Sequence, residues 1–361
     1  MKRILILCLI FCCAFSVPCT AEQYSDSFRD AVEPSNPLLS DSADLEDPEA
    51  ILQELKPRKL FRYFGDLFKN SFRDATGTLI RGIALILLSV LLERFTDSVS
   101  KGKMRSVFNV VMALAVFLIC REDLTVSLAA LRKSMEDMGV FTAACIPSFS
   151  VVMIAAGEGV GAGLFSATMI FVGELGALVS QNLLLPLSQV YLSLGVCSII
   201  GGEYDFSSLS RNIRKFVIWC VGILVLLFRT VLKLQFGAAA AADSVAKKYV
   251  QMAVGSLIPM VGGSLSHSVD GLFAVASGIK TSFAVAGVLI VLSVIAPTLI
   301  RLGIYGMIWS FCRWLASYVN EKSVCSIAGV LANGFYMMLA LGGCMALMGL
   351  FSFFGIMTQF G

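Results

Sequence analysis

The chain has 361 residues, of which 57% are apolar and only 15% are charged, and its net charge is +3. Soluble domains hold roughly 25% charged residues. Charge is concentrated near the start, since segment 22–76 is dense in ionisable side chains whereas segment 138–361 holds few. This composition excludes a water-soluble enzyme or nucleic-acid-binding domain and predicts an all-α, polytopic membrane helix bundle.

Segment 1–21 has the layout of a secretory signal peptide. Lys2 and Arg3 precede an apolar run over 4–17, and Cys19 and Ala21 occupy the small-residue positions before a cleavage site. The run is short for a membrane span, so we expect cleavage rather than an uncleaved anchor. Residues 22–59 are acidic and proline-rich, and we predict a flexible extracytoplasmic tail that does not bind nucleic acid.

Residues 60–76 predict an amphipathic helix with a phenylalanine-rich apolar face. Phe61, Phe64 and Phe68 lie on that face, whereas Asp66 and Lys69 lie on the opposite one. Such a helix either lies on the membrane surface or packs against a partner.

Residues 77–361 predict a membrane domain of about eight spans. The apolar segments are 79–92, 106–120, 138–156, 161–180, 182–200, 216–234, 281–300, 302–319 and 333–357. Basic residues from Arg94 to Arg105 place the first loop in the cytoplasm and the N-terminus outside. The topology after this loop stays open, because Arg132 and Lys133 would then fall on the outer side.

Residues 237–271 combine small and polar residues with Pro259, Gly262 and Gly263. These three residues would interrupt a helix near membrane depth, which is tolerated where the backbone is buried in protein or lines a water-filled cavity. Transporters build substrate sites from such broken helices. An amphipathic surface hairpin is the alternative. His267 and Asp270 complete this set of candidate pore or gating residues.

A duplication of segments 146–186 and 258–297 is a further hypothesis. The separation of Pro147 and Pro186 along the chain nearly equals the separation of Pro259 and Pro297. Many transporters contain such internal repeats.

Glu174 lies near the middle of an apolar segment and is also a candidate pore residue, because an ionised carboxylate in lipid is costly. A hydrogen-bonded carboxyl in the bundle interior is the alternative. Arg81, Glu158, Arg229 and Arg313 are candidate intramembrane charge partners.

The sequence predicts no catalytic residues, no metal site and no cofactor. It holds one histidine and lacks HExxH, a P-loop and any CxxC pair. Active transport would therefore depend on an external motor.

The stretch 235–271, above all AVGSLIPMVGGSLSHSVDG, resembles the stage III sporulation protein AE family of endospore-forming Firmicutes. The LFRYFGDLFK sequence before the first span and the multi-span body agree with it, so the resemblance covers most of 55–361. It implies a multi-pass protein of the mother-cell membrane around the forespore. It also implies a complex with the other proteins of the stage III sporulation A operon, including a secretion-type ATPase.

The resemblance implies a permease-like subunit of a channel that links the mother cell and the forespore and is needed for forespore development. We expect an oligomer in contact with membrane lipid. A non-transporting membrane scaffold for the same complex is one alternative, and a free-standing secondary transporter is another.

Overall fold

The computed structural model describes residues 57–99, 103–200, 207–257, 262–319 and 322–357. The predicted signal peptide, the tail up to residue 56 and Pro259 lie outside these ranges. The described chain is almost entirely helical and contains no strand, which confirms the all-α prediction.

Seven α-helices and one π-helical turn make up the described chain. They are α1 (Pro57–Val99), α2 (Lys103–Ala155), α3 (Gly159–Leu178), the π-helical turn (Val179–Leu184), α4 (Leu185–Ile200), α5 (Ser207–Leu257), α6 (Gly262–Tyr318) and α7 (Lys322–Met357). The π-helical turn joins α3 and α4 into one rod. At 1.5 Å per residue, the longer helices far exceed the ~20 residues that cross a bilayer.

Five stretches of the described helices are long and apolar enough to cross a membrane. They are Arg62–Leu91, Leu114–Ala155, Ser208–Ala246, Ala284–Tyr318 and Ser323–Phe353. The prediction of about eight spans is not confirmed, because segments that look separate in the sequence share a helix. Segments 106–120 and 138–156 both belong to α2, and segments 281–300 and 302–319 both belong to α6. Residues 60–76 and the first apolar segment are likewise continuous in α1.

The α6 and α7 helices form an antiparallel pair at the centre of the bundle. Tyr305 of α6 stacks on Phe335 of α7, with ring centroids 5.4 Å apart, and both side chains are buried. Around this pair, α6 contacts α1, α2 and α5, while α7 contacts α2 to α5. Between them, the two central helices contact all five other α-helices of the described chain.

Close packing between α4 and α7 depends on two glycines. A Cβ at Gly195 of α4 would collide with Val330, and a Cβ at Gly334 of α7 would collide with Leu192. Small residues of this kind let membrane helices approach closely, where van der Waals packing stabilises their association.

Candidate functional site

The predicted broken segment spans the junction between α5 and α6. The α5 helix ends at Leu257 and α6 begins at Gly262. Pro259 lies outside the described residues. Gly262, Gly263, His267 and Asp270 belong to the first turns of α6, in a part whose side chains lie outside the description. Their role in a pore stays a prediction.

Glu174 is exposed on α3 and lines a cavity of about 270 Å³ between α2, α3, α5 and α7. Most of the described lining is apolar, as at Ile146, Phe228 and Met345, and Glu174 is the one ionisable side chain in it. The structure thus places Glu174 beside an internal space.

The four candidate charge partners lie on four different parts of the fold. Arg81 is exposed on α1. Arg229 of α5 lies 6.0 Å from the centroid of the Phe351 ring. Arg313 of α6 packs across Gly329 of α7, whose missing Cβ would lie 3.2 Å from the arginine Cδ. Glu158 is only 3% exposed, in the turn between α2 and α3.

The turn between α2 and α3 is buried and is held by a carboxylate from α5. Gly157 has a φ of 77°, a left-handed conformation that favours glycine. Asp243 accepts hydrogen bonds from the backbone N–H groups of Val160, at 3.0 Å, and Gly161, at 2.9 Å. These amides are among the first of α3, which have no partner within the helix. Asp243 therefore caps α3 from a distant part of the sequence.

Gly161 leaves room for this cap. A Cβ on Gly161 would lie 2.9 Å from an oxygen of the Asp243 carboxylate and 3.2 Å from the Cε of Met153. Asp243 itself is only 5% exposed. No sequence pattern predicted Asp243 as a site residue, because its partners are backbone amides.

A polar cluster lies between α1, α2 and α6. Thr78 donates a hydrogen bond of 2.7 Å to Asp123. Tyr305 lies close to Thr78, Arg301 and Asp123. The Arg301 guanidinium lies 5.7 Å from the centroid of the Tyr305 ring. The cluster therefore connects Arg301, in the middle of the Ala284–Tyr318 stretch, to α1 and α2.

A second cavity, of about 180 Å³, lies beside this cluster. Its described lining consists of Ser71, Asp74, Ala130, Pro297, Thr298 and Arg301. Three helices meet there, and Ser134 shares a buried hydrogen bond of 2.6 Å with Thr298 nearby. We call this cavity the Arg301 pocket.

The outer sides of α1 and α2 around the Arg301 pocket are charged. We define this charged face by its exposed side chains Lys69, Arg73, Asp74, Arg121, Glu122, Arg132, Lys133, Glu136 and Asp137. One ion pair within it, Arg132 with Glu136, has an N–O distance of 3.1 Å and joins side chains that are 65% and 53% exposed. Such an exposed pair stabilises the helix by only about 0.3–0.5 kcal/mol. The face carries five basic and four acidic side chains, so it is strongly polar although its net charge is small.

The exposed surface of α5 is apolar. The α5 helix has no charged residue between Phe216 and Phe228. Trp219 is 66% exposed, Leu226 is 63% exposed and Leu227 is 60% exposed. Large exposed apolar side chains in such density are typical of a surface that contacts lipid or another protein.

Contacts made by glycines of α7 and α3 show that the charged face and the apolar surface of α5 lie at the same height along the bundle axis. A Cβ at Gly342 of α7 would lie 3.0 Å from Leu131 and 2.8 Å from Leu299. Arg132, the neighbour of Leu131, therefore lies at the same height along the bundle axis as Gly342. Two turns further along the parallel helices α2 and α7, a Cβ at Gly349 would meet Met138.

The same glycine contacts connect α7 to α5. A Cβ at Gly176 of α3 would contact Met348 of α7 and would lie 3.9 Å from Leu224 of α5. Leu224 and Met348 therefore lie at the same height along the bundle axis. Because α5 runs parallel to α7, Trp219 lies about one and a half turns below Leu224, close to the height of Gly342. The charged Arg132 and the exposed Trp219 therefore lie at the same level along the bundle and are both exposed.

Comparison with known proteins gives a consistent family match. A family model described as stage III sporulation protein AE matches residues 49–361. The stage III sporulation protein AE of Bacillus subtilis strain 168 is 21% identical over 240 residues, which cover 66% of this chain. The aligned part spans only 59% of the length of that relative.

A shorter part of the chain is similar to a transporter. A probable polyol transporter 4 of Arabidopsis thaliana is 32% identical over 107 residues, which cover 29% of this chain and 20% of that protein. No solved structure matches the chain.

Proposed function

Since the chain belongs to the stage III sporulation protein AE family, we propose that it is a permease-like membrane subunit of the channel complex between mother cell and forespore. The family is one of sporulation membrane proteins. We further propose that the subunit borders a polar path through the membrane. Its partners are the other proteins of the same operon, including a secretion-type ATPase that supplies the energy. It lies in the mother-cell membrane, with the N-terminus outside the cytoplasm after signal cleavage.

The main support for this proposal is that the charged face of α1 and α2 and the apolar surface of α5 are both exposed at the same height along the bundle axis. Arg132 and Trp219 cannot both be exposed to lipid, because a charge in the hydrocarbon core is costly and is tolerated where it faces water or other protein. If the α5 side contacts lipid, the charged face borders a polar path or a neighbouring subunit. A permease-like subunit in an oligomer satisfies this requirement.

The internal space near Glu174 supports the same proposal. Ligand sites of membrane proteins lie between helices, and an intramembrane carboxylate is a functional candidate by default. The buried turn capped by Asp243 adds a discontinuous helix pair, which transporters also use. Neither feature requires a catalytic residue, in agreement with a protein that is not an enzyme.

The test compares two sites at matched height. Single cysteines replace Arg132, Glu136, Trp219 and Leu226 one at a time in a cysteine-free version expressed in the native sporulating cell. A membrane-impermeant thiol reagent should label the two α2 positions and leave the two α5 positions unlabelled. A bulky reagent at the α2 positions should also lower the yield of heat-resistant spores.

Protection of all four positions would overturn the polar path and support the scaffold alternative, in which the charged face binds a protein partner. Sporulation in a cell that lacks the other operon proteins would instead support the free-standing transporter. Labelling of the α5 positions alone would reverse the assignment of the two sides and refute the proposal.

A further inference from the structure

The Arg301 pocket holds two opposite charges that do not pair with each other. Asp74 of α1 and Arg301 of α6 both line the cavity, yet no ion pair joins them within the described part of the chain. The space between them is therefore open to a ligand that contacts both.

Arg301 is fixed in place with unused hydrogen-bonding capacity. Its guanidinium lies at the Tyr305 ring, and its Nε is buried without a hydrogen-bond partner among the described residues. Because that Nε has almost no accessible surface, a ligand in the cavity contacts the other guanidinium nitrogens, which bind a carboxylate through charge-assisted hydrogen bonds. Asp123, the nearby acid, already accepts a hydrogen bond from Thr78.

Asp74 lies across the pocket on the exposed side of α1. The hydroxyls of Ser71 and Thr298 complete the described polar lining, and Ala130 and Pro297 supply its apolar part. The lining thus offers one cation, one anion and two hydroxyls around a small apolar wall.

We propose that the Arg301 pocket binds a small zwitterion of the α-amino acid class, with its carboxylate at Arg301 and its ammonium group at Asp74. This assignment deepens the proposed function and rests on it for access to the pocket from a polar path. The cavity of about 180 Å³ has room for a small amino acid such as glycine, alanine or serine.

Other ligand chemistries fit the lining less well. An inorganic anion would leave Asp74 as a like charge beside it, and a simple cation would meet the same difficulty at Arg301. An apolar ligand would displace water from both charges without pairing either of them, which is costly. A zwitterion pairs both charges at once.

The test measures equilibrium binding of radiolabelled alanine to the purified full-length protein in nanodiscs. Unlabelled glycine and serine should compete, whereas acetate, ethylamine and phosphate at the same concentration should not. Arg301→Gln and Asp74→Asn should each weaken alanine binding at least about tenfold, because each removes a charge-assisted contact. Asp66→Asn and Arg94→Gln are matched controls outside the pocket and should bind as the parent does.

Arg301→Lys keeps the positive charge and serves if Arg301→Gln does not fold. It should retain alanine binding, more weakly than the parent does. No binding of alanine to the folded parent would refute the pocket. Equal competition by acetate or phosphate, with Asp74→Asn without effect, would refute the zwitterion in favour of a simple anion.

The polar path and the zwitterion site in the Arg301 pocket can be refuted independently of each other. Labelling of cysteines at Arg132 and Glu136 without alanine binding would refute the pocket and leave the polar path. Alanine binding with all four cysteines protected would keep the pocket and refute the path.

Discussion

Asp243 accepts a hydrogen bond of 2.9 Å from the backbone N–H of Gly161, a residue 82 positions earlier in the chain. This contact fixes the start of α3 against α5 and closes the turn in which α2 ends. It is one of the long-range polar contacts that set how the helices of this bundle stand relative to one another.

We expect Asp243→Ala to destabilise the protein by about 1–3 kcal/mol, because two buried backbone N–H groups lose their acceptor. Asp243→Asn should cost less, since its amide oxygen still accepts one of the two bonds. Unfolding of the purified protein with increasing fractions of a denaturing detergent measures both changes. The control is Asp137→Ala, which removes an exposed acid of α2 and should change stability by less than ~0.5 kcal/mol. Equal effects of Asp243→Ala and Asp137→Ala would show that the cap contributes nothing.

Gly334→Val should destabilise the contact between α4 and α7 by about 1–3 kcal/mol, because the new side chain collides with Leu192. Gly343→Val lies on the same helix, and a Cβ there meets nothing within 4 Å. Both substitutions change helix propensity in the same way, so their difference reports packing. The same detergent unfolding experiment compares them. A cost at Gly343 as large as that at Gly334 would contradict the close approach.

Ser134 and Thr298 should show a small favourable coupling. Their buried hydrogen bond joins α2 to α6. Hydrogen bonds between membrane helices contribute about 0.6 kcal/mol on average and up to about 1.7 kcal/mol. A double-mutant cycle with Ser134→Ala and Thr298→Val measures the coupling directly. Strictly additive effects of the two substitutions would mean that the bond does not contribute to stability.

The sequence predicted the helical class, but the prediction of about eight spans is not confirmed, and α2 shows why. The charged stretch between its apolar halves resembles a loop between two spans. The residues around it, TVSLAALRKSMEDM, are mostly good helix formers, so the helix continues through them and exposes their charges. Composition alone cannot distinguish a charged loop from a charged helix face, because both place charge in a polar medium.

The candidate site was predicted less well than the fold. Glu174 was recognised because a single acid stands out in an apolar segment. Asp243 was not, because its partners are backbone amides, which leave no signature in a sequence. Arg301 was missed at the boundary of two predicted spans, although it is the sole charged residue between Lys280 and Arg313. Its link to Thr78 and Asp123 depends on the packing of three helices.

Glu174→Gln tests whether the cavity near α3 takes part in transport. The substitution keeps the shape of the side chain and removes its charge, so packing should be preserved. If the carboxylate serves a polar path, the yield of heat-resistant spores should fall severalfold at unchanged protein level. Immunoblotting of the membrane fraction measures that level alongside the spore count.

Gly139→Leu provides an independent test of the same cavity. Gly139 lines the cavity, and a Cβ there meets nothing within 4 Å, so a leucine should enter the space without displacing its neighbours. We expect normal protein levels and a reduced spore yield. Gly163→Leu, at an exposed glycine of α3 with equally open surroundings away from the cavity, should leave the yield unchanged. Normal sporulation with both Glu174→Gln and Gly139→Leu would mean that the cavity is not used, and the scaffold alternative would then account better for the protein.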